Sequence, residues 1–216
     1  MSLENLRLAF GHNLKFINPN ILYVLALLVS LEAGYYFLDA NKQQYLYIWI
    51  VALILLRLVI NWTSKQIVLA RGAENKKSYS VYYRLSDIVS ELFIIGGFTI
   101  FSSMPGTFWY LKRFAFLSVL LVMFTGIMGK AAGLDYAKQG PMCKLGRQIL
   151  IIVTVLAQYF AFKYSNPFII FMPENSCVYS WMDAGLSLLI LFALVTFVRR
   201  LLAIRKQIKQ DETKEW

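Results

Sequence analysis

Histidine occurs once in this 216-residue chain, cysteine twice and proline five times, and acids number 12 against 22 Lys and Arg. So few thiols and imidazoles leave nothing that resembles a metal-thiolate site. The one histidine, His12, reads as a surface residue. No stretch shows the short apolar–polar alternation of a membrane barrel. The first apolar block has no small-residue cleavage pattern and is long enough to span, so it is not read as a cleavable signal peptide. There is no internal repeat, and no polar stretch is long enough for a soluble second domain.

What the chain has instead is apolar length. Hydrophobic residues make up 58% of it, with a mean hydropathy of +0.56, where a soluble domain sits near roughly 45–50%. The excess falls into six blocks, residues 21–38, 45–62, 85–103, 108–128, 148–162 and 178–198. A helix rises about 1.5 Å per residue, so roughly 20 residues cross a hydrocarbon core of about 30 Å. A bilayer offers no water to backbone groups, so each block reads as a helix. The expectation is an all-α, polytopic membrane protein with six transmembrane helices over 18–204. The third block begins with acids, and the fifth is short, followed by Lys163, Asn166 and Pro167.

Basic residues set the orientation, because Lys and Arg favour cytoplasmic loops. With the N-terminus inside, only Lys42, Lys112, Arg113 and Lys163 fall outside, and Arg57 falls within a span. Every other Lys and Arg then lies on the inner side. This predicts a multi-pass protein of the cell membrane with both termini cytoplasmic. The net charge of +10 then reflects topology and attraction to anionic lipid, with no nucleic-acid partner. The same topology puts Cys143 inside and Cys177 outside, so the two cannot pair within one chain.

Residues 1–17 carry Leu3, Leu6, Phe10, Leu14 and Ile17 at helical spacing, which predicts an amphipathic helix in the membrane interface. Asn18-Pro19-Asn20 breaks it before the first span. Residues 205–216 form a basic cytoplasmic tail.

Ionisable residues inside spans are expensive, and each raises a question of function. Glu32 and Arg57 lie in the first and second spans and are candidates to pair, although about six residues apart in depth. Asp87 and Glu91 are four apart and share one face of the third helix. Two acids at a water-accessible edge can hold a divalent cation or supply a base; alternatively, acids at a helix start complement its dipole. Arg71, Arg84, Lys130, Lys144 and Arg147 share the cytoplasmic side. Together with the acids they are candidates to hold a phosphate-bearing substrate and a metal; alternatively, they express only the inward bias of basic residues.

At these residues the chain resembles the CDP-alcohol phosphatidyltransferases. That family's signature is Asp-x2-Asp-Gly-x2-Ala-Arg, eight or nine residues, then Gly-x3-Asp-x3-Asp. Ile17-Asn18-Pro19-Asn20-Ile21 is similar to the family's entry into its first span, and Ala70-Arg71 stands where the signature has Ala-Arg. Leu85 to Leu92, followed by Gly96-Gly97, resembles the start of the third helix. Gly140-Pro141-Met142-Cys143-Lys144-Leu145-Gly146-Arg147 is similar to a segment before the fifth span of some members.

The resemblance implies six spans, a cytoplasmic interfacial helix, a cytoplasmic site, membrane-lipid partners and a homodimer. It implies Mg²⁺ or Mn²⁺ on the signature aspartates, holding a CDP-linked substrate. The last aspartate acts there as base on an acceptor hydroxyl, and CMP leaves. It makes Asp87 and Glu91 candidate catalytic and metal-binding residues, and Arg71, Lys144 and Arg147 candidate phosphate ligands. The signature itself is incomplete. Thr63, Gln66 and Ile67 occupy its first two aspartates and glycine. In one register Asp87 and Glu91 are its last two aspartates; in the other Tyr83 and Asp87 take those places. Three readings follow: a relative in phospholipid biosynthesis that has lost most or all activity, an active phosphatidyltransferase with an altered site, or an unrelated small transporter or scaffold.

Overall fold

A computed structural model describes residues 14, 16–40, 42–71, 77–101, 109–131, 141–164 and 180–212, with 77–84, 100, 101, 109, 130, 131 and 208–212 described as backbone only. Among them are six helices and no strand: α1 (Pro19–Asp39), α2 (Tyr45–Ala70), α3 (Lys77–Phe101), α4 (Trp109–Ala131), α5 (Lys144–Lys163) and α6 (Trp181–Glu212). Each apolar block forms one helix. Five are long and apolar enough to cross a membrane, the exception being α3, whose apolar stretch is interrupted by Asp87, Ser90 and Glu91. Most of the interfacial segment 1–17 lies outside the described residues, and Phe16 and Ile17 are in a turn. The basic tail is continuous with α6, which extends to Glu212.

Where the sequence reads as one membrane domain over 18–204, packing divides the chain into two compact units, Met1–Phe101 and Ser102–Trp216. In the first, α1 packs along both α2 and α3. Pro19 occupies the first turn of α1, where its missing N–H costs nothing, and the Asn18 side chain caps that turn by accepting from the Asn20 amide at 3.0 Å. Ala26, Ser30, Ala33 and Gly34 give α1 a face of small, buried residues. Such faces let helix backbones approach closely where no hydrophobic effect drives association. At the α1–α3 contact the approach is close to the limit. A Cβ on Gly34 would lie 2.6 Å from the Phe93 carbonyl oxygen, and one on Gly97 would lie 2.7 Å from both the Cα and the carbonyl oxygen of Gly34. Phe37 and Phe98 meet edge to face beside it, with centroids 5.9 Å apart. On the α2 side, Ala26 and Val29 pack with Ile60.

In the second unit α6 packs against α4 and α5. Ser180 and Asp183 cap its start reciprocally: the Ser180 amide donates to Asp183 Oδ2 at 2.9 Å and the Asp183 amide donates to Ser180 Oγ at 3.2 Å. Gly185 fits against the Thr154 side chain of α5, which a Cβ would overlap. Arg200, buried, donates from Nη1 to the Val122 carbonyl of α4 at 2.6 Å, past Gly126, where a Cβ would stand 3.0 Å from that nitrogen.

Small hydroxyls inside the helices turn back on their own backbone. Ser30, Thr99, Thr125, Thr154 and Thr196 each donate to the carbonyl four residues earlier, which lets a polar side chain sit in an apolar helix. The surfaces facing outward are apolar: Ile21, Leu28, Leu55, Val59, Phe114, Phe124, Val153, Leu191 and Leu202 are all exposed. Water would oppose such surfaces; lipid chains solvate them.

The contrast between neighbouring glycines is testable. Gly97→Ala forces α1 and α3 apart and is expected to destabilise the detergent-solubilised protein by about 1–3 kcal/mol. A Cβ at Gly96 meets nothing within 4 Å, so Gly96→Ala is expected to be neutral or stabilising by up to about 1 kcal/mol. Thermal unfolding of the two variants checks the difference in sign.

Candidate functional site

The densest set of charged and polar side chains described in the first unit lies on α2 and α3. Arg57 stands halfway along α2, roughly 18–20 Å from either end at 1.5 Å per residue, and its side chain is fully buried. Its Nη2 lies 3.4 Å from Asp87 Oδ1 and 3.3 Å from the Asp87 carbonyl oxygen. Glu32 is therefore not the partner of Arg57. It lies on the exposed face of α1 and accepts from the Tyr36 hydroxyl at 2.9 Å. The mismatch in depth between Glu32 and Arg57 accounts for this, since Asp87 is within reach and Glu32 is not.

Around the ion pair the two helices present further polar groups. Asn61 and Ser64 follow Arg57 by four and seven residues, so they share its face. Ser90 and Glu91 stand beside Asp87 in the same way. Asn61, Ser64, Ser90 and Glu91 are all buried. The Asn61 amide nitrogen and the Ser64 and Ser90 hydroxyls make no hydrogen bond within the described structure. Buried polar atoms of this kind mark places where water or a ligand completes the bonding.

The acids are not a helix start. α3 begins at Lys77, ten residues before Asp87, and has no acid in its first turn. Asp87 lies about 15 Å into the helix, and its carboxylate faces the Arg57 guanidinium. Dipole compensation does not explain it; charge pairing with Arg57 does.

The signature positions fall elsewhere on α2. Thr63 and Gln66 stand six and nine residues after Arg57, about 120° and 180° around a helix of 3.6 residues per turn. They are half-buried and buried, and Ile67 is fully buried. On α2 it is Arg57 that meets Asp87, and Asn61 and Ser64 share its face; the signature marks none of the three. The signal for them was in the sequence, as a charge in mid-span with polar residues at helical spacing. Tyr83 lies in α3, in the portion described as backbone only.

The basic candidates are already engaged. Arg71, exposed at the end of α2, donates to the Ile17 carbonyl at 2.9 Å and ties down the chain before α1. Arg147 in the second unit is buried and donates to the Met142 carbonyl at 2.7 Å. The Met142 amide in turn donates to Thr196 Oγ1 on α6 at 3.0 Å. Gly146 lies against the Pro141 carbonyl, leaving no room for a Cβ. The segment 141–147 is thus a packed turn into α5, with Lys144, half-buried, at its first helical position. Cys143 is a free thiol, and Cys177 lies outside the described residues.

The donors do not suit a divalent metal. Of the two candidate carboxylates, Asp87 already faces the Arg57 guanidinium and Glu91 is buried; Thr63 and Gln66 supply only neutral oxygens and the Ile67 side chain none. No group of three or more His, Cys, Asp or Glu side chains converges among the described residues. Mg²⁺ and Mn²⁺ need several hard oxygen donors with negative charge. Searches of protein-family models and of curated proteins found no match to this chain.

The ion pair makes a quantitative prediction. Arg57→Ala removes the guanidinium that faces the half-buried Asp87 carboxylate, and is expected to destabilise by about 1–3 kcal/mol. Arg57→Met combined with Asp87→Leu is expected to recover most of that loss. A double-mutant cycle of unfolding in detergent measures the coupling.

Proposed function

We propose that this chain is a CDP-alcohol phosphatidyltransferase-like protein of the cell membrane that has lost most or all metal-dependent transfer. In this reading all six helices cross the bilayer, α3 included, and both ends are cytoplasmic. Residues 1–17 lie along the inner interface. The carrying observation is the pairing of Asp87 with Arg57. A carboxylate neutralised by a buried guanidinium is a poor ligand for a second cation and a poor base. What remains is a lipid-embedded fold with a polar seam suited to binding rather than turnover. Its partners are membrane lipids and a CDP-linked ligand, and a homodimer is the assembly the resemblance implies.

A second reading, an unrelated small transporter or scaffold, is favoured by a different feature: Thr63 and Gln66 stand about 120° and 180° around α2 from Arg57, the residue that meets Asp87. A charged pair in mid-membrane is common in polar pathways.

CMP release from a CDP-linked lipid, with Mg²⁺ or Mn²⁺ and a panel of polyols and polyol phosphates, tests the enzymatic question. The expected result is no release above that of the Asp87→Ala variant, with retained binding of the CDP-linked lipid. EDTA-sensitive release that Asp87→Ala abolishes makes the protein an active transferase. Absence of both release and binding favours the transporter or scaffold. Topology is tested separately, in a Cys143→Ser, Cys177→Ser background. An impermeant thiol reagent is expected to label Lys42→Cys in intact cells and Glu212→Cys only after permeabilisation. Labelling of both from outside overturns the six-span orientation.

A further inference from the structure

The two faces of α1 differ sharply, and Glu32 is on the wrong one. Tyr23, Ala26, Ser30, Ala33, Gly34 and Phe37 are buried against the rest of the first unit. Ile21, Leu25, Leu28, Leu31 and Tyr35 are exposed. Glu32, also exposed, follows Leu28, Leu25 and Ile21 by four, seven and eleven residues, so it belongs to this apolar face. It stands seven residues before Asp39, about 10 Å below the outer end of the helix at 1.5 Å per residue. A glutamate side chain is too short to lift its carboxylate over that distance, unlike a lysine or arginine. Among the described residues its hydrogen bond comes from Tyr36, on the same helix. An acid in the hydrocarbon layer is costly unless a partner neutralises it.

We propose that this face of α1 is the docking surface for a transmembrane helix of another protein, one that carries Lys or Arg at the depth of Glu32. The proposal rests on the membrane-spanning reading of α1. Charge complementarity selects the occupant. A second copy meeting α1 through the same face would set Glu32 against Glu32, and α1 contains no Lys or Arg to offset them. Like charges directly opposed repel. A lipid headgroup does not reach that depth. A helix with small or aliphatic residues and one cation satisfies both the leucine-rich surface and the carboxylate.

The test places a photo-crosslinking residue at Leu28, one turn from Glu32, and at Leu194, an exposed position on α6. The full-length protein is irradiated in its native membranes, and adducts are mapped by mass spectrometry. The expected result is a discrete adduct from Leu28 and not from Leu194. It maps to a membrane segment containing Lys or Arg, and it falls to background in Glu32→Leu and weakens in Glu32→Gln. Unchanged elution of both variants in detergent excludes misfolding. Adducts to lipid alone, to a second copy, within the chain, or to a segment without Lys or Arg overturn the proposal. So does a discrete adduct that Glu32→Leu leaves intact. Alkaline carbonate washing of the same membranes separates the two levels. Protein that is released refutes the spanning reading and the docking surface together. Protein that is retained but crosslinks only to lipid refutes the docking surface alone.

Discussion

Arg57 is fully buried midway along a 26-residue apolar helix, and a guanidinium cannot lose its proton to escape the cost. The first unit is therefore organised to hold a permanent positive charge where the solvent supplies none. Asp87 provides the opposite charge and, through its carbonyl oxygen, a second acceptor. The pairing depends on the rotation and height of α3, because a slip of one residue along it would carry the carboxylate about 100° away. Glu91 and the hydroxyl of Ser90 follow Asp87 into the interior as a consequence. Of the polar residues that weaken α3 as an apolar span, Asp87 thus neutralises the charge on α2.

Close backbone contact on the other side of α1 supports this arrangement. Gly34 and Gly97 bring α1 and α3 to van der Waals contact, and Ser86 donates to the Tyr23 carbonyl at 3.0 Å one end further along. These contacts hold α3 by its backbone, so Asp87 does not have to act as both anchor and counter-charge. In the second unit the same problem has a different answer. Arg200 uses a backbone carbonyl of α4, and Arg147 uses a carbonyl of its own turn. Here backbone acceptors help to position the guanidinium groups.

Most of the fold was readable because lipid enforces a coarse rule: each backbone group must be satisfied within its own segment, so apolar length becomes helix. The blocks at 21–38 and 45–62 emerge as α1 and α2 with little change. Boundaries shifted where the chain leaves the apolar layer, because α5 and α6 continue into Lys144 and beyond Val198, and basic residues are good helix formers outside lipid. The division into two units was not readable. It depends on which small residues face which helix, and Gly34 and Gly97 gain their meaning only when seen opposite each other. The site was readable in part. Mid-span charges stood out at Glu32, Arg57 and Asp87, but their pairing depends on height and rotation, which periodicity gives for each helix separately and not for the pair. A motif register placed Thr63 and Gln66 beside Asp87; the helix face placed Arg57 there.

That substitution also bears on what the polar seam can do. A site that binds a metal concentrates negative charge and leaves it uncompensated until the ion arrives. Here compensation is supplied by the chain itself, by a side chain that cannot dissociate. The seam therefore needs no ion to be stable, and an ion entering it would have to displace a guanidinium in order to use Asp87. The Asn61 amide nitrogen and the Ser64 and Ser90 hydroxyls have no hydrogen-bond partner among the described residues. Neutral hydrogen-bonding groups of a ligand, or water, complete them at much lower cost than a charge does. The physical consequence is a seam whose electrostatics are closed and whose hydrogen bonding is open, which favours recognition of a polar group over the activation of one.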